Sequence, residues 1–258
     1  MDVTLVTVKK EIIMIDYKSW KPSSNGENRA NIRRQDSIQD GLRHVSGDGT
    51  TLINPADAAL LLLNHQSGLL QVVKDIGVKD LRANTAMLAK LATLMDLPVI
   101  TSSLVPEGPN GPLIPEIRQF APHAVYVPRK GEINAWDNEQ FVAAVHETGR
   151  KTLIMAGVWS SIFLIFPALE AKAAGFKVYA VTDASGDSSE MSSRTTLARL
   201  SQAGVVLASA LTVLSELHRT WDRRESAELA KLYTMVAPNY VTVKETSILD
   251  WQAARLHY

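Results

Sequence analysis

From residue 54 onward, short and wholly apolar runs alternate with longer stretches in which apolar residues recur every three or four positions. Ala58–Leu63 (AALLLL), Thr152–Ala156 and Phe176–Val181 carry no polar face, which is the pattern of strands buried on both sides. Leu97–Thr101, Val125–Pro128 and Val205–Ala208 are further strand runs. Asp80–Leu94 places Leu81, Thr85, Leu88, Leu91 and Ala92 on one face of a helix. Glu139–Glu147, Ser192–Ala203, Leu211–Asp222 and Ala227–Met235 also read as helices. Lys151–Gly186 is the most informative stretch: a strand ending at Gly157, a sharp turn, a helix, and a second strand closed by the turn Asp183–Gly186. Ser160 and Ser161 stand at the N-cap of that helix, Ile162, Phe163, Phe166, Leu169 and Ala173 follow at helical spacing, and Gly175 suits its stop. Two buried strands joined by a helix form a βαβ unit, hence a parallel sheet with a right-handed crossover. The pattern predicts a three-layer α/β/α fold with a mainly parallel central sheet over residues 54–258. In such sheets ligands sit outside the carboxyl ends of the strands, so Gly157–Phe163 marks the expected site, and Asn64-His65-Gln66 sits at the carboxyl end of the Ala58–Leu63 strand.

The ends of the chain read differently. Val3–Ile15 is apolar and β-branched apart from Lys9-Lys10-Glu11, and suits either a strand or an arm that docks on a neighbouring subunit. Lys18–Asp48 is rich in Ser, Asn, Gly, Arg and Asp, the composition of a linker or weakly ordered arm, with a small β-hairpin as the alternative. Residues 1–53 are therefore expected to be an N-terminal extension, and residues 236–258 a mixed tail.

Composition narrows the function classes. Lys+Arg and Asp+Glu both number 27, so neither nucleic acid nor an anionic membrane surface is an expected partner. No apolar run is long enough for a membrane span and the start does not read as a signal peptide, so a cytoplasmic protein is expected. The chain holds no cysteine, which excludes disulfides, zinc–thiolate sites and a cysteine nucleophile. The six histidines show no metal-ligand spacing, and no metal or other cofactor is expected.

Several strings resemble the isochorismatase-like hydrolase superfamily, in particular its YcaC-like branch: LLLNHQSGLL (Leu61–Leu70), GPNGPLIPE (Gly108–Glu116), INAWDN (Ile133–Asn138), AGV (Ala156–Val158), FPALEA (Phe166–Ala171), VTDASG (Val181–Gly186) and SELHRTW (Ser215–Trp221). They occur in the expected order from Asn54 to Asn239. The resemblance implies a parallel sheet flanked by helices and a homo-oligomer. It also implies a site that cleaves small amides with an aspartate, a lysine or arginine, and a cysteine. There a thiolate is stabilised by a helix N-terminus and a cation, a carboxylate shuttles the proton, and backbone N–H groups hold the oxyanion. On this chain the aspartate position falls on Asn64, the basic position on Arg129 with Lys130 beside it, and the cysteine position on Phe163. His65, Glu107, Asn134, Trp136, Val158 and Trp159 are the candidate substrate-binding residues. An amide does not titrate usefully and a phenyl ring has no nucleophilic atom, so the family's chemistry is expected to be lost. The expectation is a pseudoenzyme or a small-molecule-binding oligomer. The alternative is a cysteine-independent hydrolase or lyase acting on a small carbonyl substrate, in which Asn64, Arg129 or Lys130 and the amides of Val158–Phe163 polarise the carbonyl.

For the remaining polar residues, structural roles are the better expectation. Ser160 and Ser161 read as caps, His65 as a hydrogen-bonding residue at a strand end, and Asp183 as the cap of its own turn. Asn110 joins Glu107 on the Pro/Gly-rich loop that follows the second strand.

Overall fold

The computed structural model describes residues 52–237 together with 239 and 240. Almost all of the expected N-terminal extension and most of the tail lie outside the described residues. Six parallel strands form one sheet: β1 (Ala58–Leu63), β2 (Val99–Leu104), β3 (Val125–Arg129), β4 (Thr152–Gly157), β5 (Lys177–Val181) and β6 (Val206–Ala208), in the order β3-β2-β1-β4-β5-β6. The chain first winds outward from β1 through β2 to β3, then returns to place β4 against the other side of β1. The winding direction reverses between β1 and β4, and the carboxyl ends of those two strands flank the switch point where ligands bind in open α/β sheets.

The α-helices are α1 (Ser67–Leu70), α2 (Val78–Leu94), α3 (Pro115–Phe120), α4 (Glu139–Glu147), α5 (Ile165–Ala173), α6 (Glu190–Gln202), α7 (Ala210–His218) and α8 (Ser226–Val236). Two hydrophobic cores, one on each face of the sheet, explain why β1 and β4 are apolar throughout. Leu60 and Leu62 of β1 join Ile154, Tyr179 and residues of α2, α7 and α8 in the first core. Ala59, Leu61 and Leu63 join Leu153, Met155 and residues of α4, α5 and α6 in the second. Side chains alternate across a strand, so a strand covered on both faces has no polar position to offer. Ile53, just before β1, is fully buried; its N–H donates to Glu216 and its carbonyl accepts from Arg219.

Predicted and observed elements agree in type and differ by a few residues at their ends; the short helices α1 and α3 carried too little periodicity to be predicted. Gly175 adopts φ 91°, the left-handed conformation that ends a helix. The expected buried face of the helix after β4 needs correction. Ser160–Leu164 is a π-helical turn, and α5 begins only at Ile165. The wider turn shifts the phase, so Ile165, Ala168 and Ala171 face the second core while Phe163 packs into the first. Phe166 and Leu169 are half-buried.

Candidate functional site

Asn64 follows β1 directly at φ 55°, a left-handed conformation that asparagine tolerates better than most residues. The chain thereby turns out of the sheet, and the Asn64 side chain meets Arg129, which arrives from the end of β3. Asn64 Oδ1 accepts a hydrogen bond from Arg129 Nη2. Arg129 Nε donates to Ser102 Oγ at 3.0 Å, and Nη1 donates to the carbonyls of Glu132 and Ile133, each at 2.6 Å. Ser102 in turn donates to the Val127 carbonyl at 2.6 Å, so its hydroxyl is used in both directions. The ring of Phe163 completes the group: its centroid lies 5.8 Å from the guanidinium carbon of Arg129, within cation–π range.

Arg129 is 1% exposed and Asn64 0%. Burial lowers the Arg129 pKa to about 10, with Glu132 acting in the opposite direction, so the side chain remains a cation at neutral pH. A polar network continues from Asn64 into the Pro/Gly-rich loop. Asn64 Nδ2 donates to Gln66 Oε1 at 3.0 Å, and Gln66 Nε2 donates to the carbonyls of Leu104 and Gly111. The same Oε1 accepts the N–H of Leu104. Asn110 donates to the Leu104 carbonyl. Gln66 and Ser102 are therefore the organising residues that residue-type reasoning passed over; the adjacency of Gln66 to Asn64 was the only available signal.

The turn after β4 brings the Phe163 ring to this cluster. The Val158–Trp159 peptide is cis. Gly157 has no room for a side chain, because a Cβ there would lie 2.9 Å from the carbonyl oxygen of Phe163. Most N–H groups of the turn are committed internally: Val158 to Leu63 O, Ser160 to Gly186 O, and both Ile162 and Phe163 to Trp159 O, while the Trp159 N–H has no acceptor among the described residues. Ser160 and Ser161 do not cap the turn with their side chains, contrary to expectation. Instead the fully buried carboxylate of Asp187 accepts Ser160 Oγ at 2.8 Å and the Ser161 N–H at 2.7 Å. A carboxylate has two oxygens with which to accept several donors at a turn of this kind, and nothing near Ser160 in sequence announces it.

The other expected site residues separate into two groups. His65 is fully buried and its Nε2 lies 2.9 Å from the Ala184 carbonyl. A carbonyl only accepts, so Nε2 carries the proton and Nδ1 is left as a buried acceptor without a partner among the described residues. Burial holds the His65 pKa down at about 4. Val158 is buried in the first core, and the half-buried Trp159 packs against that core, with its Nε1 unpartnered among the described residues. Lys130 and Glu107, by contrast, are exposed. Asn134 uses its side chain on the N–H of Trp136 and on Asp137, and it lines a surface cleft of about 400 Å³ with Ile133, Phe166 and Leu169. Trp136 packs edge-on against Phe141 and Phe176 at 6.2 and 5.8 Å, on the second core. Neither contributes to the cluster around Arg129, because Ala135–Asp137 is a single helical turn with Ala135 in the second core. Asp183 accepts the N–H of Ala210 at 2.7 Å and so caps α7 rather than its own turn. Among the described residues no group of His, Asp and Glu is arranged to hold a metal ion.

Strand order, switch point and the strand-end cluster together define an α/β protein of the isochorismatase type. Residues 58–211 match the isochorismatase domain, and the chain belongs to that family. Within it the chain is YcaC-like. It is 46% identical to the probable hydrolase YcaC of Escherichia coli over 184 residues, which cover 71% of this chain and 88% of that protein. The E. coli YcaC structure, described as an octameric hydrolase of unknown specificity, superposes with a TM-score of 0.75 at 42% identity, covering 79% of this chain and 99% of that one. YcaC from Pseudomonas aeruginosa, solved with hexane-2,5-diol and covalent acrylamide, superposes with a TM-score of 0.73 at 38% identity, covering 78% and 98%.

Proposed function

We propose that this YcaC-like chain has lost the family's hydrolytic chemistry and acts as a pseudoenzyme, a small-molecule-binding member of a homo-oligomer. One observation carries the reading. The three side chains that meet at the switch point are an amide, a guanidinium and a phenyl ring, and the chain has no cysteine anywhere to supply a thiolate. None of them is a nucleophile or a base that titrates near neutral pH. The assembly part of the proposal rests on the octameric state of E. coli YcaC. A cytoplasmic location fits a chain in which no described helix is long and apolar enough to cross a membrane.

The alternative, a cysteine-independent hydrolase or lyase, needs free N–H groups on the turn to stabilise an oxyanion. The commitment of the Val158, Ser160, Ser161, Ile162 and Phe163 amides to internal acceptors counts against it, because among the described residues it leaves the Trp159 N–H as the single uncommitted amide of the turn. The test is turnover of small amides, esters and enol ethers by the purified protein beside Asn64→Ala, Arg129→Ala and Lys130→Ala. No turnover is expected. Turnover in the parent that collapses in the Asn64 or Arg129 variant would overturn the proposal. Size-exclusion chromatography with light scattering tests the assembly, and a monomer would remove that part.

A further inference from the structure

Among the described residues Arg129 is a buried cation without a counter-ion. Its acceptors are an amide oxygen, a hydroxyl and two backbone carbonyls, and no carboxylate among the described residues lies within ion-pairing distance. Glu132, the acid that influences it electrostatically, has its carboxylate engaged by Asn138 Nδ2 at 2.8 Å and by the Gly131 N–H at 3.1 Å. Dipoles solvate a buried charge but do not neutralise it, and a desolvated charge gains far more from an opposite charge than a hydrated one does. Four of the five guanidinium N–H groups have protein acceptors, which leaves one on Nη2, the nitrogen that faces Asn64.

From this geometry we infer that the cluster at the β1 and β3 ends is a site for a small monovalent anion, a short carboxylate or a halide, that supplies the charge Arg129 lacks. The inference rests on the ligand-binding reading of this site and names the ligand class. Small size follows from the burial of Arg129 and from the Phe163 ring lying against it at 5.8 Å. The ring is itself 6% exposed, so on this reading an anion enters past Phe163. Asn64 sits where a carboxylate of the same shape would pair directly with Nη2. The variant Asn64→Asp therefore places the negative charge inside the protein and makes an external anion redundant.

The test is thermal unfolding of the whole protein titrated with sodium formate, sodium acetate and sodium chloride. Ionic strength is held constant with sodium gluconate, whose anion is too large for the site. Wild type is expected to show a saturable rise in Tm of several degrees, as for any ligand bound by the native state alone. Asn64→Asp is expected to begin with a higher Tm in gluconate and to show no further rise. Phe163→Ala, which widens the entry, is expected to respond at lower anion concentration than wild type. A response to formate and acetate above chloride identifies a carboxylate site, and an equal chloride response identifies a halide site. Equal responses in wild type and Asn64→Asp, or no response in wild type, overturn the inference. The turnover assay is independent: hydrolysis would defeat the pseudoenzyme reading and leave an anion response standing, whereas a missing anion response would leave the turnover result untouched.

Discussion

Asp187 offers the sharpest test of how the turn beside the site is held. Its buried carboxylate accepts Ser160 Oγ, the Ser161 N–H and the Ser188 N–H, at 2.8, 2.7 and 2.7 Å. In Asp187→Ala all three donors lose their acceptor. Ser160 is 2% exposed, so its hydroxyl has no route to water, whereas Ser161 and Ser188 are half-buried and recover part of their loss by hydration. A buried donor left unsatisfied costs about 2 kcal/mol and a partly hydrated one less, so Asp187→Ala should destabilise the protein by about 3 kcal/mol. That is roughly a hundredfold change in the unfolding equilibrium, since about 1.4 kcal/mol corresponds to a factor of ten. Asp187→Asn keeps the shape and one oxygen and should lose about half as much. Ser160→Ala removes one donor cleanly, so the double variant should be more stable than the sum of the singles predicts, by about 1 kcal/mol. Urea unfolding gives the free energies, and near-ultraviolet circular dichroism follows Trp159 on the same turn. A loss below about 1 kcal/mol in Asp187→Ala, with no coupling to Ser160, would refute the assignment of Asp187 as the clamp of this turn.

Three further outcomes follow from the site. His65 has a folded-state pKa lowered to about 4 from 6.5, so the unfolded chain takes up a proton that the native state refuses; stability should fall by about 3 kcal/mol as pH drops from 6.5 to about 4. In His65→Gln, whose Nε2 can still donate to Ala184 O, that part of the pH dependence should vanish from unfolding curves measured across the window. Gly157→Ala drives a Cβ to 2.9 Å from the Phe163 carbonyl oxygen and 3.0 Å from its carbon, both backbone atoms, and should cost about 2 kcal/mol or more in chemical denaturation. Arg129→Lys loses the planar fork that serves Asn64, Ser102, Glu132 and Ile133 together, an expected cost of about 3 kcal/mol, while the exposed Lys130→Ala should stay within about 0.5 kcal/mol of wild type. Equal effects at Arg129 and Lys130 in the same denaturation series would contradict the division between them.

The fold class was legible because burial on both faces leaves a direct mark on composition. AALLLL in β1 has no polar position because each of its residues meets one of two cores, and Gly175 marks a helix end because few other residues adopt its φ without strain. Asn64 and Arg129 were legible as candidate site residues through strand-end position and family likeness. Their partners were not. Ser102 and Gln66 are ordinary polar residues in sequence, and Asp187 lies 26 residues from the Ser161 N–H it accepts. The separation of Arg129 from Lys130 follows from the alternation of side chains across a strand end, a geometry that adjacency conceals.

By itself the sequence determined that this chain is a parallel α/β protein of the isochorismatase type, without a thiol and with an amide and a phenyl ring at two positions that the family likeness singled out. Local periodicity and residue chemistry suffice for that, since each is a property of a few neighbouring residues. Only the tertiary structure decided that the chain reverses between β1 and β4, that a π-helical turn rotates Phe163 away from the face of α5 and onto Arg129, and that Arg129 is buried without a carboxylate of the described residues beside it. Those outcomes depend on contacts between segments tens of residues apart, whose energies arise from packing and desolvation once the sheet has closed, and no local pattern encodes them.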